Sequence, residues 1–98
     1  MSRRRSTDSA GKPFQEGTIK TVWQMSAISK QFPPLRVDCF GGLMFEHGYG
    51  ATGSKFGWEI DHREPVAKGG GDELQNLQPL QWENNLAKAD NSVAGQTR

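Results

Sequence analysis

Residues 58–90 read WEIDHREPVAKGGGDELQNLQPLQWENNLAKAD, and the changes of period inside that run decide the fold. Over 57–62 apolar and charged side chains alternate. Trp58 and Ile60 fall on one side and Glu59 and Asp61 on the other, which predicts a strand whose core side is that of Trp58. Residues 63–75 hold Pro65, then Gly69, Gly70 and Gly71, then Asp72, and read as a wide turn. A short second strand over 76–80 follows, limited by Pro79. From Gln81 the period lengthens: Trp82, Leu86 and Ala89 fall at i, i+4 and i+7, the face of a helix ending about Lys88 or Asp90. Asn85 and Lys88 lie three apart on the adjoining face. Beyond Asp90 the polar chain is expected to fray.

Working outward, residues 1–12 are expected to form a flexible basic arm, polar and poor in apolar side chains. Residues 17–25 alternate loosely and are rich in Thr, Ile, Val and Trp, which favours a strand, although a helix competes over so short a run. Pro33 and Pro34 stop any helix there. Residues 36–45 read as an extended piece interrupted at Gly41 and Gly42, and 47–56 as a glycine-rich loop.

A chain of 98 residues is one domain with a modest buried fraction, so a metal or a partner would help to hold it. Its composition, 34% hydrophobic and 23% charged, is that of a folded globule. The three tryptophans and five phenylalanines supply much of the burial such a domain can have. No apolar run approaches the roughly 20 residues that cross a bilayer, and Arg3, Arg4 and Arg5 are not followed by an apolar stretch. The expectation is therefore a cytoplasmic protein without a cleaved leader or a membrane partner. A single cysteine, Cys39, excludes an internal disulfide and a cysteine zinc cluster. The net charge of +1 conceals a gradient, from +3 over residues 1–12 to −3 over 56–98. A basic arm suits phosphates, and equally a solvated tail; the acidic half is more easily explained if some carboxylates hold a cation.

Taken singly the polar residues are weak signals: an Asp-His pair in a loop, an Asn-Leu-Gln or a helical Asn each occurs by chance. Their joint order is more specific. Asp61-His62, Pro65, the Lys68-Gly69-Gly70 turn, Asn76-Leu77-Gln78, and Asn85 nine residues past Asn76 resemble the HNH endonuclease signature, in an HNN form with Lys88 where that family often has lysine. The resemblance covers about a third of the chain closely. It implies an α+β fold with a ββα-metal (His-Me finger) core, an N-terminal β-rich extension, and one nuclease domain over 13–98 whose motif core is 57–90. It further implies a metal-dependent endonuclease acting on DNA, duplex or structured or single-stranded, either as a chain alone, as a homodimer or in a larger nuclease assembly. Products would carry 5′ phosphate and 3′ hydroxyl.

The chemistry of the residues stands beside the resemblance. Phosphodiester hydrolysis needs a water deprotonated near neutral pH and a cation to absorb charge on the phosphoryl and leaving oxygens. An imidazole suits the first task, so His62 is the candidate general base. Asp61 and Asn85 offer oxygen ligands only, suited to Mg²⁺ first and Mn²⁺ second rather than to zinc. Asn76, able to donate and accept, is the candidate clamp on the wide loop and on His62. Lys88 and Arg63 are candidate nucleic-acid contacts, with surface charges as the bland alternative. Neighbours on a regular strand point to opposite faces, so Asp61 and His62 converge only where the strand bends or ends. Gln81 and Asn84 stand where many HNH proteins have the second of two cysteine pairs holding structural zinc. Aromatic packing, with Trp58 and Trp82 foremost, is expected to replace that metal. A non-cutting nucleic-acid-binding module on the same scaffold is the alternative function.

Overall fold

A computed structural model describes residues 4–95 of the chain, with side chains described through residue 89. It is a small mixed α+β domain with two helices and two antiparallel sheets. Helix α1 (Glu16–Gln24) precedes strands β1 (Ala27–Ile28), β2 (Leu35–Val37) and β3 (Leu43–Phe45), which form one sheet in that order. Strands β4 (Trp58–His62) and β5 (Leu77–Gln81) form the second sheet, and helix α2 (Trp82–Gly95) follows directly and packs against both. Among the described residues, no helix is long and apolar enough to cross a membrane.

The hairpin forms as its alternation dictates. Trp58 pairs with Gln81 and His62 with Leu77, so the register is unbroken along β4. Trp58 and Ile60 enter the core with Leu77, Met44, Val22, Trp23 and Phe14. Trp58 is fully buried, its ring 5.2 Å from Trp23 and 4.9 Å from Tyr49, while its indole N–H donates to the Glu46 carbonyl at 3.1 Å. The polar end of the ring is thus satisfied where the ring is dry. Pro79 is tolerated because β5 pairs only on its β4 side.

Four expectations need correction. Residues 16–24 form a helix, not a strand: Ile19, Val22 and Trp23 fall at i, i+3 and i+4, and burial of that face overrides the β preference of Thr, Ile and Val. The N-terminal extension is therefore a helix followed by three short strands. The helix ends where the Ser26 hydroxyl donates to the Trp23 carbonyl at 2.6 Å. Helix α2 continues to Gly95, beyond the expected end near Asp90. Trp82 is only half-buried and outside the core cluster; it covers the 51–57 loop, donating to the Ser54 carbonyl at 2.7 Å. Finally, the described part of the basic arm is docked. The Arg5 guanidinium meets Glu59 at 3.0 Å, and the Ser6 hydroxyl both bonds Tyr49 at 2.6 Å and accepts the Ile60 N–H at 2.8 Å. Residues 1–3 of that arm lie outside the described residues.

Aromatic packing is not the whole replacement for a structural metal. Buried Asp38, 6% exposed, accepts four hydrogen bonds. On Oδ1 the donors are the Phe40 and Gly42 N–H groups of its own turn, at 2.9 and 2.7 Å. On Oδ2 they are the Gln81 N–H at 2.8 Å and the Asn84 side-chain amide at 3.0 Å. The same carboxylate thus shapes the β2–β3 turn and ties it to the junction of β5 and α2, beside the positive end of the helix. Gln81 completes the junction, its amide oxygen capping the N–H groups of Glu83 and Asn84 at 3.0 and 3.2 Å.

Removing that carboxylate strands one buried donor, the Gln81 N–H, and three partly buried ones. Asp38→Ala is expected to cost about 3 kcal/mol of folding stability in urea unfolding; a loss below about 1 kcal/mol would contradict this role for Asp38.

Candidate functional site

Alternation on β4 puts Glu59 and Asp61 on the face opposite Trp58 and Ile60, and helix α2 crosses that face. Each carboxylate meets one cation and one amide. Asp61 receives the Lys88 ammonium on Oδ1 at 3.2 Å and the Gln78 amide on Oδ2 at 2.9 Å. Glu59 receives the Arg5 guanidinium at 3.0 Å and the Asn85 amide at 2.9 Å, both on Oε1. Asn85 and Lys88, three apart on α2, therefore address residues two apart on the strand, as helical and extended spacing allow. Lys88 also donates to the His62 carbonyl at 3.2 Å. Its ammonium faces the end of β4, a different use from the phosphate contact expected of it.

Asn85 is 4% exposed. Its amide nitrogen must face the carboxylate of Glu59, because a carboxylate only accepts, and this fixes which end of the amide is which. The opposite end, Oδ1, accepts no hydrogen bond among the described residues. A buried acceptor left without a donor costs about 1–3 kcal/mol, and such an oxygen is a fitting ligand for a hard cation. Asp61 adds a carboxylate with its positive partner already in place. A carboxylate and an amide oxygen are ligand types that a hard divalent ion takes, with water or substrate completing its shell. Among the described residues no group of three or more His, Cys, Asp or Glu side chains is placed to hold a metal ion.

His62 stands apart from this face. Because β4 stays regular through the His62 and Leu77 pair, Asp61 and His62 point to opposite sides, and the expected bend does not fall between them. The His62 ring is buried against Phe14, centroids 5.9 Å apart, with Nε2 2.8 Å from Asp72 Oδ1. Asp72 is in turn held by Ser9, whose N–H lies 3.0 and 3.1 Å from its two oxygens and whose hydroxyl donates at 2.7 Å. Burial opposes ionisation of Asp72, but the His62 and Ser9 hydrogen bonds outweigh it and hold the carboxyl below its ordinary value.

Asn76 closes the loop between β4 and β5. Its amide oxygen accepts the Glu64 N–H at 2.9 Å, and its nitrogen donates to the Glu64 and Gly71 carbonyls at 3.2 and 2.8 Å. The chain there is so tight that a Cβ on Gly70 would collide with the Glu64 carbonyl, so the glycine is a steric requirement. Asn76 makes no hydrogen bond to His62; the ring's partner is Asp72, which the sequence shows only as a turn residue. Arg63 extends the pairing by donating its N–H to the Asn76 carbonyl at 2.7 Å, and its side chain is exposed without a hydrogen bond or ion pair among the described residues. Glu59, Gln78, Arg5 and Ser9 were likewise not candidates in the sequence. Glu59 alone carried a signal, its position two residues before Asp61 on the same strand face.

No family model, curated protein or solved structure matches this chain.

Asn76→Ala is expected to lower stability by about 2 kcal/mol and to speed amide exchange through the 64–71 loop, as measured by urea unfolding and hydrogen exchange; unchanged exchange there would contradict the clamp. The depressed carboxyl of Asp72 sets a pH sign. Its contribution to folding is complete above the ordinary carboxyl pKa of about 3.9 and is lost as pH falls through the lower folded value. Asp72→Asn should therefore show a shallower loss of stability below about pH 4 than the parent chain, in unfolding measured across that range.

Proposed function

We propose that the chain is a metal-dependent endonuclease of the HNH kind, in the HNN form, hydrolysing phosphodiester bonds in DNA, with Mg²⁺ as the ion and Mn²⁺ as its substitute. The observation that carries this reading is the unpaired, buried amide oxygen of Asn85 on the helix that crosses the Asp61 face of β4. The strand, strand and helix in sequence, with the loop closed by Asn76, support a ββα-metal core.

In this reading Asp61 and Asn85 hold the ion. Bound there, an ion would supply electrostatic stabilisation of the developing negative charge. His62 takes the proton from the attacking water, a contribution of about 10²- to 10⁴-fold for a positioned base. Because β4 ends at His62, with Asp61 and the imidazole on opposite sides, the scissile phosphate must lie across the end of the strand to meet both. Lys88 balances the Asp61 charge, and its ammonium would be a point charge for a neighbouring phosphate. Arg63, exposed directly after the strand, is a second basic contact. Asn76 acts through the loop backbone and touches no substrate.

One observation favours a second reading. Both carboxylates of β4 are already neutralised, by Lys88 and Arg5, and this suits a nucleic-acid-binding module that keeps the scaffold without cutting, alone or within a larger assembly.

Incubation of supercoiled plasmid with Mg²⁺, Mn²⁺ or EDTA separates the two. The nuclease reading expects metal-dependent nicking that falls at least about 100-fold in His62→Ala and comparably in Asp61→Ala and Asn85→Ala. DNA binding without nicking in either metal would overturn it in favour of the module.

A further inference from the structure

We propose that Asp72 is a positioning residue that, anchored by Ser9 of the N-terminal segment, fixes the His62 ring in the tautomer that leaves Nδ1 free to take a proton. This deepens the hydrolase reading and rests on it.

An ionised Asp72 only accepts, so the 2.8 Å contact requires the hydrogen on His62 Nε2, and a neutral imidazole then carries its lone pair on Nδ1. Nδ1 makes no hydrogen bond among the described residues. The ring cannot readily swing, because it is buried and Phe14 packs on it.

Asp72 is itself fixed from outside its loop. Ser9 lies in a turn whose own geometry is set by Asp8, which accepts the N–H groups of Ala10 and Lys12 on Oδ1, both at 2.9 Å. Three contacts from Ser9 then reach Asp72 across 63 positions of sequence. Ser9 thus connects the N-terminal segment to the orientation of the candidate base. A positioned carboxylate behind an imidazole is a general means of holding one tautomer.

Ser9 also makes the outcome of an isosteric change calculable. In Asp72→Asn the two Ser9 donors on Oδ2 retain the amide oxygen there, which turns the amide nitrogen toward His62. That nitrogen donates to Nε2, and the ring must move its proton to Nδ1, the wrong atom for a base. Long-range ¹H–¹⁵N NMR of the histidine rings near neutral pH reads the tautomer without substrate, and thermal unfolding confirms that the variant is folded. The expected result is Nε2–H in the parent chain and Nδ1–H in Asp72→Asn, with kcat for Mg²⁺-dependent plasmid nicking reduced about 100-fold at unchanged KM. Nδ1–H in the parent chain, an unmoved tautomer in the folded variant, or undiminished kcat would overturn the proposal. A parent chain that shows Nε2–H and does not nick would instead sink the hydrolase reading, and the positioning role with it, while leaving the His62 and Asp72 pairing intact.

Discussion

The fold depends on how three buried or nearly buried carboxylates are matched. Asp38, Glu59 and Asp61 are withdrawn from water in a domain with a small core, and an unmatched carboxylate there would cost several kcal/mol. Each is instead met by donors from elsewhere in the chain. Asp38 draws together the β2–β3 turn and the start of α2. Glu59 draws in the N-terminal segment through Arg5 and the helix through Asn85. Asp61 takes Lys88 from the helix and Gln78 from the neighbouring strand. These contacts specify where α2 and the N-terminal segment lie, a task the apolar cluster around Trp58 does not perform alone.

The same matching shapes the functional reading. Asp61 is met by a side-chain ammonium and a side-chain amide, whereas Asp38 is bound by backbone N–H groups on both oxygens. Glu59 lies between the extremes, holding Asn85 by one end of its amide and leaving the other end without a hydrogen bond among the described residues. The Asp72 and Ser9 pair gives the opposite side of β4 its own connection to the N-terminal segment.

What the sequence made legible was local. The hairpin, its wide glycine loop and the helix after it follow from period-two alternation, from Pro65 and the glycine triplet, and from the i, i+4 spacing of Trp82 and Leu86. Asp61, Asn76 and Asn85 stand out in the sequence as polar candidates, and the loop that Asn76 closes could be foreseen because both ends of it lie close in sequence. The helical state of 16–24 was harder: its composition favours a strand, and only burial of Ile19, Val22 and Trp23 decides otherwise. The docking of Arg5, Ser6 and Ser9, and the hub at Asp38, were not legible. Their partners lie 43 to 63 positions away, and no local period encodes such a pairing. The regularity of β4 through His62 is likewise a tertiary outcome, since the turn residues begin only after it.

The most direct test of the central claim is the anomalous diffraction of Mn²⁺ in crystals of the intact chain. The account predicts one ion bonded to a carboxylate oxygen of Asp61 and to Oδ1 of Asn85, with the Lys88 ammonium displaced from Asp61. An ion at another cluster of carboxylates, or no ion with Lys88 still seated on Asp61 at saturating Mn²⁺, would contradict it.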